Sequence, residues 1–233
     1  MKITNNKTVA EIVSENVGAD TIFGKYNIDF CCGGGLTLEA ACKNGNVDVE
    51  KVKAEIRSVK NIISSNTPHK NTTLSALIEE VKSKYQVYFN NEIEALLPLA
   101  KKVADVHGST HKEVIEINTL FRSINFVLDE LITNTNNTLY PQIKRIESGA
   151  LTTNEQIEKF KCTVSSVEIA HKLIGDSFKE IAKLSNNYTI PEGACNSFKF
   201  LYQKLSEIEH QLHNYFHLEE HKLIPHAFKV LNK

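Results

Sequence analysis

Apolar residues three and four apart recur over long stretches of this 233-residue chain, and no alternating strand pattern of any length interrupts them. That period predicts an all-α protein. It also divides the chain. Residues 1–62 carry short helical segments, Val9–Ser14, Ala19–Tyr26, Thr37–Cys42 and Val49–Ile62, around a Cys-Cys-Gly-Gly-Gly turn. The polar run SSNTPHKNTT, Ser64–Thr73, suits a linker, placed at residues 63–72. Residues 73–233 then hold four long helices, roughly Thr73–Val106, His111–Thr135, Thr153–Leu184 and Glu192–Leu223. The expected architecture is a small N-terminal helical domain followed by an up-and-down four-helix bundle.

At about 100° per residue, the faces of these helices can be worked out. In the last one, HQLHNYFHLEEHKLIPH, the residues His210, His213, His217 and His221 form one stripe. Leu201, Leu205, Ile208, Leu212, Phe216 and Leu223 lie on the opposite side, so the histidines are read as a solvated face. Glu219 interrupts the apolar side, flanked by Tyr215. A buried carboxylate is costly unless paired or metal-bound, which makes Glu219 a candidate ligand. His171 likewise sits among Phe160, Val164, Val167, Ile174 and Phe178 on helix three. An imidazole and a carboxylate in a bundle core suit a transition metal; a core histidine satisfied by hydrogen bonds is the alternative. Helix two turns Ile117, Leu120, Ile124, Val127, Leu128, Leu131 and Thr135 inward, with nothing beyond a hydroxyl to offer a metal. Gln86 on helix one reads as a polar residue at the rim.

Composition narrows the function classes. The chain is 41% hydrophobic and 24% charged, an ordinary globular balance. Lys+Arg 27 against Asp+Glu 28 gives a net charge of −1 without a basic cluster, which argues against nucleic-acid and anionic-membrane partners. The opening MKITNNKTVAEIV has no signal-peptide core, and no window is apolar enough for a membrane span. Five cysteines, two of them adjacent, make no disulfide framework, so a cytoplasmic location is expected. Cys31 and Cys32 stand ahead of three glycines and a helix start, where amide donors favour a thiolate; they are the catalytic candidates. The other reading of that turn, a thiol packed as a small apolar group, stays open. Cys162 and Cys195 read as incidental.

The stretch KYNIDFCCGGGLTLEAAC ahead of a bundle, with KKVADVHG (Lys101–Gly108), LYP (Leu139–Pro141) and HLEEHKLIP (His217–Pro225), resembles the iron-sulfur cluster repair di-iron family that includes ScdA and YtfE. The resemblance spans nearly the whole chain. It implies a hemerythrin-like bundle, iron as cofactor, iron-sulfur proteins as partners, and repair of clusters damaged by nitric oxide or oxidants. The family's di-iron site takes a histidine from helix one, His-x-x-x-Glu from helix two, a histidine from helix three and His-x-x-x-Glu from helix four. The quoted motifs place Gln86 at the first of these positions, Leu131 and Thr135 at the second motif, His171 at the third, and Tyr215 and Glu219 at the fourth. His171 and Glu219 therefore survive as metal ligands, with Tyr215 able to serve only as a phenolate. Three functions compete: a repair protein with an altered metal site; a metal-poor, non-enzymatic bundle; and a mononuclear or heme-type sensor on His171. The second would bind a partner such as a metal-bearing paralogue in a mixed oligomer; for the chain in general, a homodimer or a hetero-oligomer with a paralogue is the expected assembly.

Overall fold

A computed structural model describes residues 3–16, 18–26, 28–30, 34–60 and 72–232. It is all-α: among these residues no strand forms, and an isolated bridge joins Thr8 to Thr37. Two compact units divide it. One holds Met1–Thr73 with His213–His226; the other holds Leu74–Leu212 with Ala227–Lys233.

The first unit is built from α1 (Val9–Glu15), α2 (Ala19–Lys25), α3 (Leu38–Asn44) and α4 (Val49–Lys60). Thr8 and Glu11 open α1 as a reciprocal cap. The Glu11 amide donates to Thr8 Oγ1 at 3.2 Å, and the Thr8 amide to Glu11 Oε2 at 2.8 Å. Two further amides at this helix start, those of Val9 and Ala10, donate to the carbonyls of Leu36 and Gly34 at 2.9 Å each. The glycine turn is thereby tied to α1. Gly34 has no room for a side chain, since a Cβ there would stand 2.5 Å from the Phe30 carbonyl oxygen. Val9, Ile12, Phe23, Phe30, Leu38, Val52 and Ile56 form the core. Burying each such side chain is worth about 1.5–3 kcal/mol, which is what holds four short helices together.

The second unit takes its helices from longer runs. α5 (Leu74–Glu80) passes through a π-helical segment, Val81–Gln86, into α6 (Val87–His107). α7 (Glu113–Asn134) passes through a second, Thr135–Leu139, into α8 (Tyr140–Glu147). α9 (Asn154–Leu184) is uninterrupted and opens on a cap formed by Thr153 and Gln156. α10 (Asn196–Leu218) begins in this unit and leads through a third π segment, Glu219–Leu223, into α11 (Ile224–Leu231); the stretch His213–His226 of that run belongs to the first unit. α7 packs against both α6 and α9, and α5 against α8. The second run thus ends at Glu147 rather than near Thr135. The fourth begins at Asn196 rather than Glu192 and ends at Leu231 rather than Leu223.

Each π segment is marked by a backbone bond five residues long: Val87 to the Lys82 carbonyl, Tyr140 to Thr135, and Ile224 to Glu219. The buried positions record the same insertion. On α9 they run Phe160, Val164, Val167, His171, Ile174, Phe178, Ile181, alternating steps of four and three. The interrupted runs instead take three consecutive steps of four. These are Val81–Tyr85–Phe89–Ile93, Leu131–Thr135–Leu139–Ile143 and Tyr215–Glu219–Leu223–Ala227. Each set spans one residue more than a regular four-three-four, and that extra residue is the π insertion.

Candidate functional site

The π segments fall on the positions where ligands are expected. Gln86 ends the first, Thr135 begins the second and Glu219 begins the third. Insertions of this kind widen a helix locally and re-aim the side chains around them, and they gather at functional sites.

What the side chains do there differs from a metal centre. Gln86 is not a rim residue: it is 5% exposed and links two helical runs. Its Oε1 accepts from Asn136 Nδ2 at 2.9 Å, and its Nε2 donates to Tyr140 Oη at 3.4 Å. Thr135 is fully buried and gives its hydroxyl proton to the Ile132 carbonyl at 3.0 Å. Leu131 is buried and has no donor atom. His171, in the bundle unit, and Tyr215 and Glu219, in the other unit, are each completely buried. Among the described residues, no three side chains of the His, Cys, Asp and Glu types gather closely enough to hold a metal ion. Within the bundle unit, His171, the Gln86 amide network, the Thr135 hydroxyl and Leu131 offer one imidazole and no carboxylate, which does not fit a di-iron centre with its mixed shell of histidines and bridging carboxylates.

The histidine stripe is the clearest departure from the sequence reading. His217 is not solvated but 4% exposed. Its Nδ1 lies 3.3 Å from the Phe30 carbonyl oxygen and its Nε2 3.2 Å from Ser14 Oγ. A carbonyl can only accept, so Nδ1 carries the proton, and Nε2 of the neutral ring accepts from the serine. Burial, reinforced by the neighbouring His221 and Lys222, pushes the imidazole down to about 3. The Phe30 ring meets His213 and His217 edge-on, with centroids 5.6 and 6.0 Å away. His210, His213 and His221 are half-buried. Residues 215–219 are buried without a break, so this part of the helix is covered on both sides. A helical wheel identifies one apolar face and assigns the other to water. Here the other face packs within the N-terminal unit, and the uncommon concentration of imidazoles was the available sign.

Cys31 and Cys32, the catalytic candidates, lie outside the described residues. Phe30, whose carbonyl His217 holds, directly precedes them in the chain. Of the other thiols, Cys42 is buried, and desolvation raises it above the usual thiol range; Cys162 and Cys195 are exposed.

An all-helical chain whose longer helical runs are interrupted by π segments and pack as a bundle defines the class: a helical-bundle protein. The model of ScdA_N, described as a domain of unknown function (DUF542), matches residues 5–60. The chain is 31% identical over 221 residues, 95% of its length and 97% of the relative's, to the iron-sulfur cluster repair protein ScdA of Staphylococcus haemolyticus (strain JCSC1435). It is 27% identical over 214 residues, 91% of each chain, to the iron-sulfur cluster repair protein YtfE of Yersinia pseudotuberculosis. It is 26% identical over 227 residues, 97% of its length and 96% of the relative's, to a probable iron-sulfur cluster repair protein of Haemophilus influenzae. The chain belongs to the iron-sulfur cluster repair family.

Proposed function

We propose that this protein acts in the repair of iron-sulfur clusters damaged by nitric oxide or oxidants, on iron-sulfur proteins of the cytoplasm, and that it does so without a resident di-iron centre. The observation that carries the first part is similarity along 95% of the chain to a relative named as a repair protein. The observation that carries the second is the Gln86–Asn136–Tyr140 network, beside a hydroxyl at Thr135 spent on a backbone carbonyl. No described helix is long and apolar enough to cross a membrane.

On this reading the clusters and their iron are substrate, and Cys31 and Cys32 are the groups that meet them. His171, Glu219 and Tyr215 are the remaining donors of a hemerythrin-like bundle at residues 73–233, joined to a domain at residues 1–62 through the linker 63–72. The buried amide network also favours a second reading. A bundle in which the Gln86 amide is taken up by Asn136 and Tyr140 suits a non-enzymatic partner of a metal-bearing paralogue in a hetero-oligomer, or a homodimer.

One experiment separates these readings. A hydratase with a nitric-oxide-damaged [4Fe-4S] cluster is incubated anaerobically with the purified chain, and recovered activity is read beside the iron content of the chain. Recovery with iron near zero, lost in a Cys31→Ser, Cys32→Ser variant, is expected. Recovery only on adding a metal-bearing paralogue selects the partner role. About two irons per chain, as di-iron bundles hold, would overturn the absence of the centre. No recovery under either condition would overturn repair itself.

A further inference from the structure

The bundle unit holds a thiol–imidazole pair that cluster repair leaves unused. Cys195, read from sequence as incidental, stands immediately before α10, its carbonyl accepting from the Lys199 amide at 3.1 Å. Cys195 is exposed, and its Sγ lies 3.2 Å from His107 Nε2. His107 is the last residue of α6. Moving the thiol proton to the imidazole therefore leaves a thiolate at the start of a 23-residue helix and a cation at the end of a 21-residue helix.

The imidazole is also held in place. Its ring meets Phe198 edge-on at 5.4 Å, and His111 meets the same buried ring at 5.3 Å. His111 Nδ1 in turn lies 3.1 Å from Glu113 Oε1, so the second imidazole is occupied by a carboxylate and not by the sulfur. The nucleophile is accessible, its base is within hydrogen-bond reach, and packing orients the base. These are the parts a thiol needs for attack on an electrophile.

We propose that Cys195 and His107 form a thiol–disulfide exchange site whose substrates are low-molecular-weight disulfides. His107 Nε2 takes the Cys195 proton. Sγ attacks one sulfur of the disulfide, the new Cys195 S–S bond forms as the old S–S bond breaks, and the departing thiolate leaves with the proton from Nε2. Cys195 is oxidised to the mixed disulfide, half of the small molecule is released reduced as a thiol, and no other oxidant enters.

The test treats the full chain with bis(2-hydroxyethyl) disulfide at neutral pH and follows each cysteine by peptide mapping. Cys162, exposed on α9 with no imidazole hydrogen-bonded to its sulfur among the described residues, is the internal reference. Cys195 should form its mixed disulfide about fivefold faster than Cys162. His107→Phe, which keeps a ring against Phe198 but removes Nε2, should bring Cys195 down to the Cys162 rate. His111→Phe should leave Cys195 fast. Equal rates at the two cysteines of the wild type would overturn the proposal, as would an unchanged rate in His107→Phe. If His111→Phe slows Cys195 as much as His107→Phe does, packing around Phe198 sets the rate and the proposal falls.

Discussion

Acidification should loosen the N-terminal unit through one residue, His217. Its imidazole titrates near 3 in the folded chain, well below the ordinary value of 6.5. Unfolded, it takes up a proton near 6.5; folded, it cannot without losing the neutral form that accepts from Ser14 Oγ. Between these two values the unfolded chain binds more protons, so stability is full above 6.5 and is lost as the pH falls. The slope is about 1.4 kcal/mol per pH unit, which makes about 2 kcal/mol between pH 6.5 and 5. Most carboxylates stay ionised over that interval, so they contribute little to the change. Urea unfolding at pH 7 and pH 5 measures the effect through the shift in midpoint. His217→Gln is the control, because an amide can still donate to the Phe30 carbonyl and accept from Ser14 but does not titrate. The wild type should lose about 2 kcal/mol more than the variant on going from pH 7 to 5. Parallel pH dependences would refute the reasoning, for they would mean that His217 is as readily protonated in the folded chain as in the unfolded one.

Three other outcomes are expected. Gln86→Leu removes the acceptor of the part-buried Asn136 amide and should cost about 1–3 kcal/mol in urea unfolding; a neutral result would show that this hydrogen bond does not support the fold. Gly34→Ala drives a methyl against the Phe30 carbonyl and should destabilise by about 1–3 kcal/mol, with hydrogen exchange quickening at the Val9 and Ala10 amides before those of α9. Thermal melts with and without a chelator should coincide, and a large loss of stability on chelation would show that bound metal supports the fold.

Much of this was legible in the amino-acid sequence, and what was not has a physical cause. α9 keeps one face buried by regular steps of four and three, so its limits, Asn154–Leu184, fall within a residue of those expected. The run containing Thr135 was cut short because a strict 100° wheel loses the apolar face where a residue is inserted. Three consecutive steps of four were visible at Leu131, Thr135, Leu139 and Ile143, and they mark such an insertion. The burial of His171 and Glu219 was legible because a polar group amid apolar neighbours is informative in any register, and both are fully buried. Gln86 and His217 were misplaced for a shared reason: each is covered by a second element, Gln86 by the run bearing Asn136 and Tyr140, His217 by Ser14 and Phe30. One helix's own periodicity carries no information about a second covering. Cys195 needed the long-range approach of His107, 88 residues away in sequence, which no local pattern encodes.

The π insertion at Thr135–Leu139 also sets which changes the chain can undergo separately. Exchanging the side chain at Leu131 or Thr135 is a local event, reached by substitution and absorbed by a few neighbours. Removing the inserted residue is not. A deletion there would rotate everything downstream by about 100° and draw it in by about 1.5 Å, taking Tyr140 away from Gln86 and swinging Ile143 and Ile146 out of the core. Chemistry at these positions is therefore loosely held, whereas the backbone that presents it is tightly held. A helix of this kind can gain or surrender a ligand one substitution at a time and keep the same wide turn ready for either state.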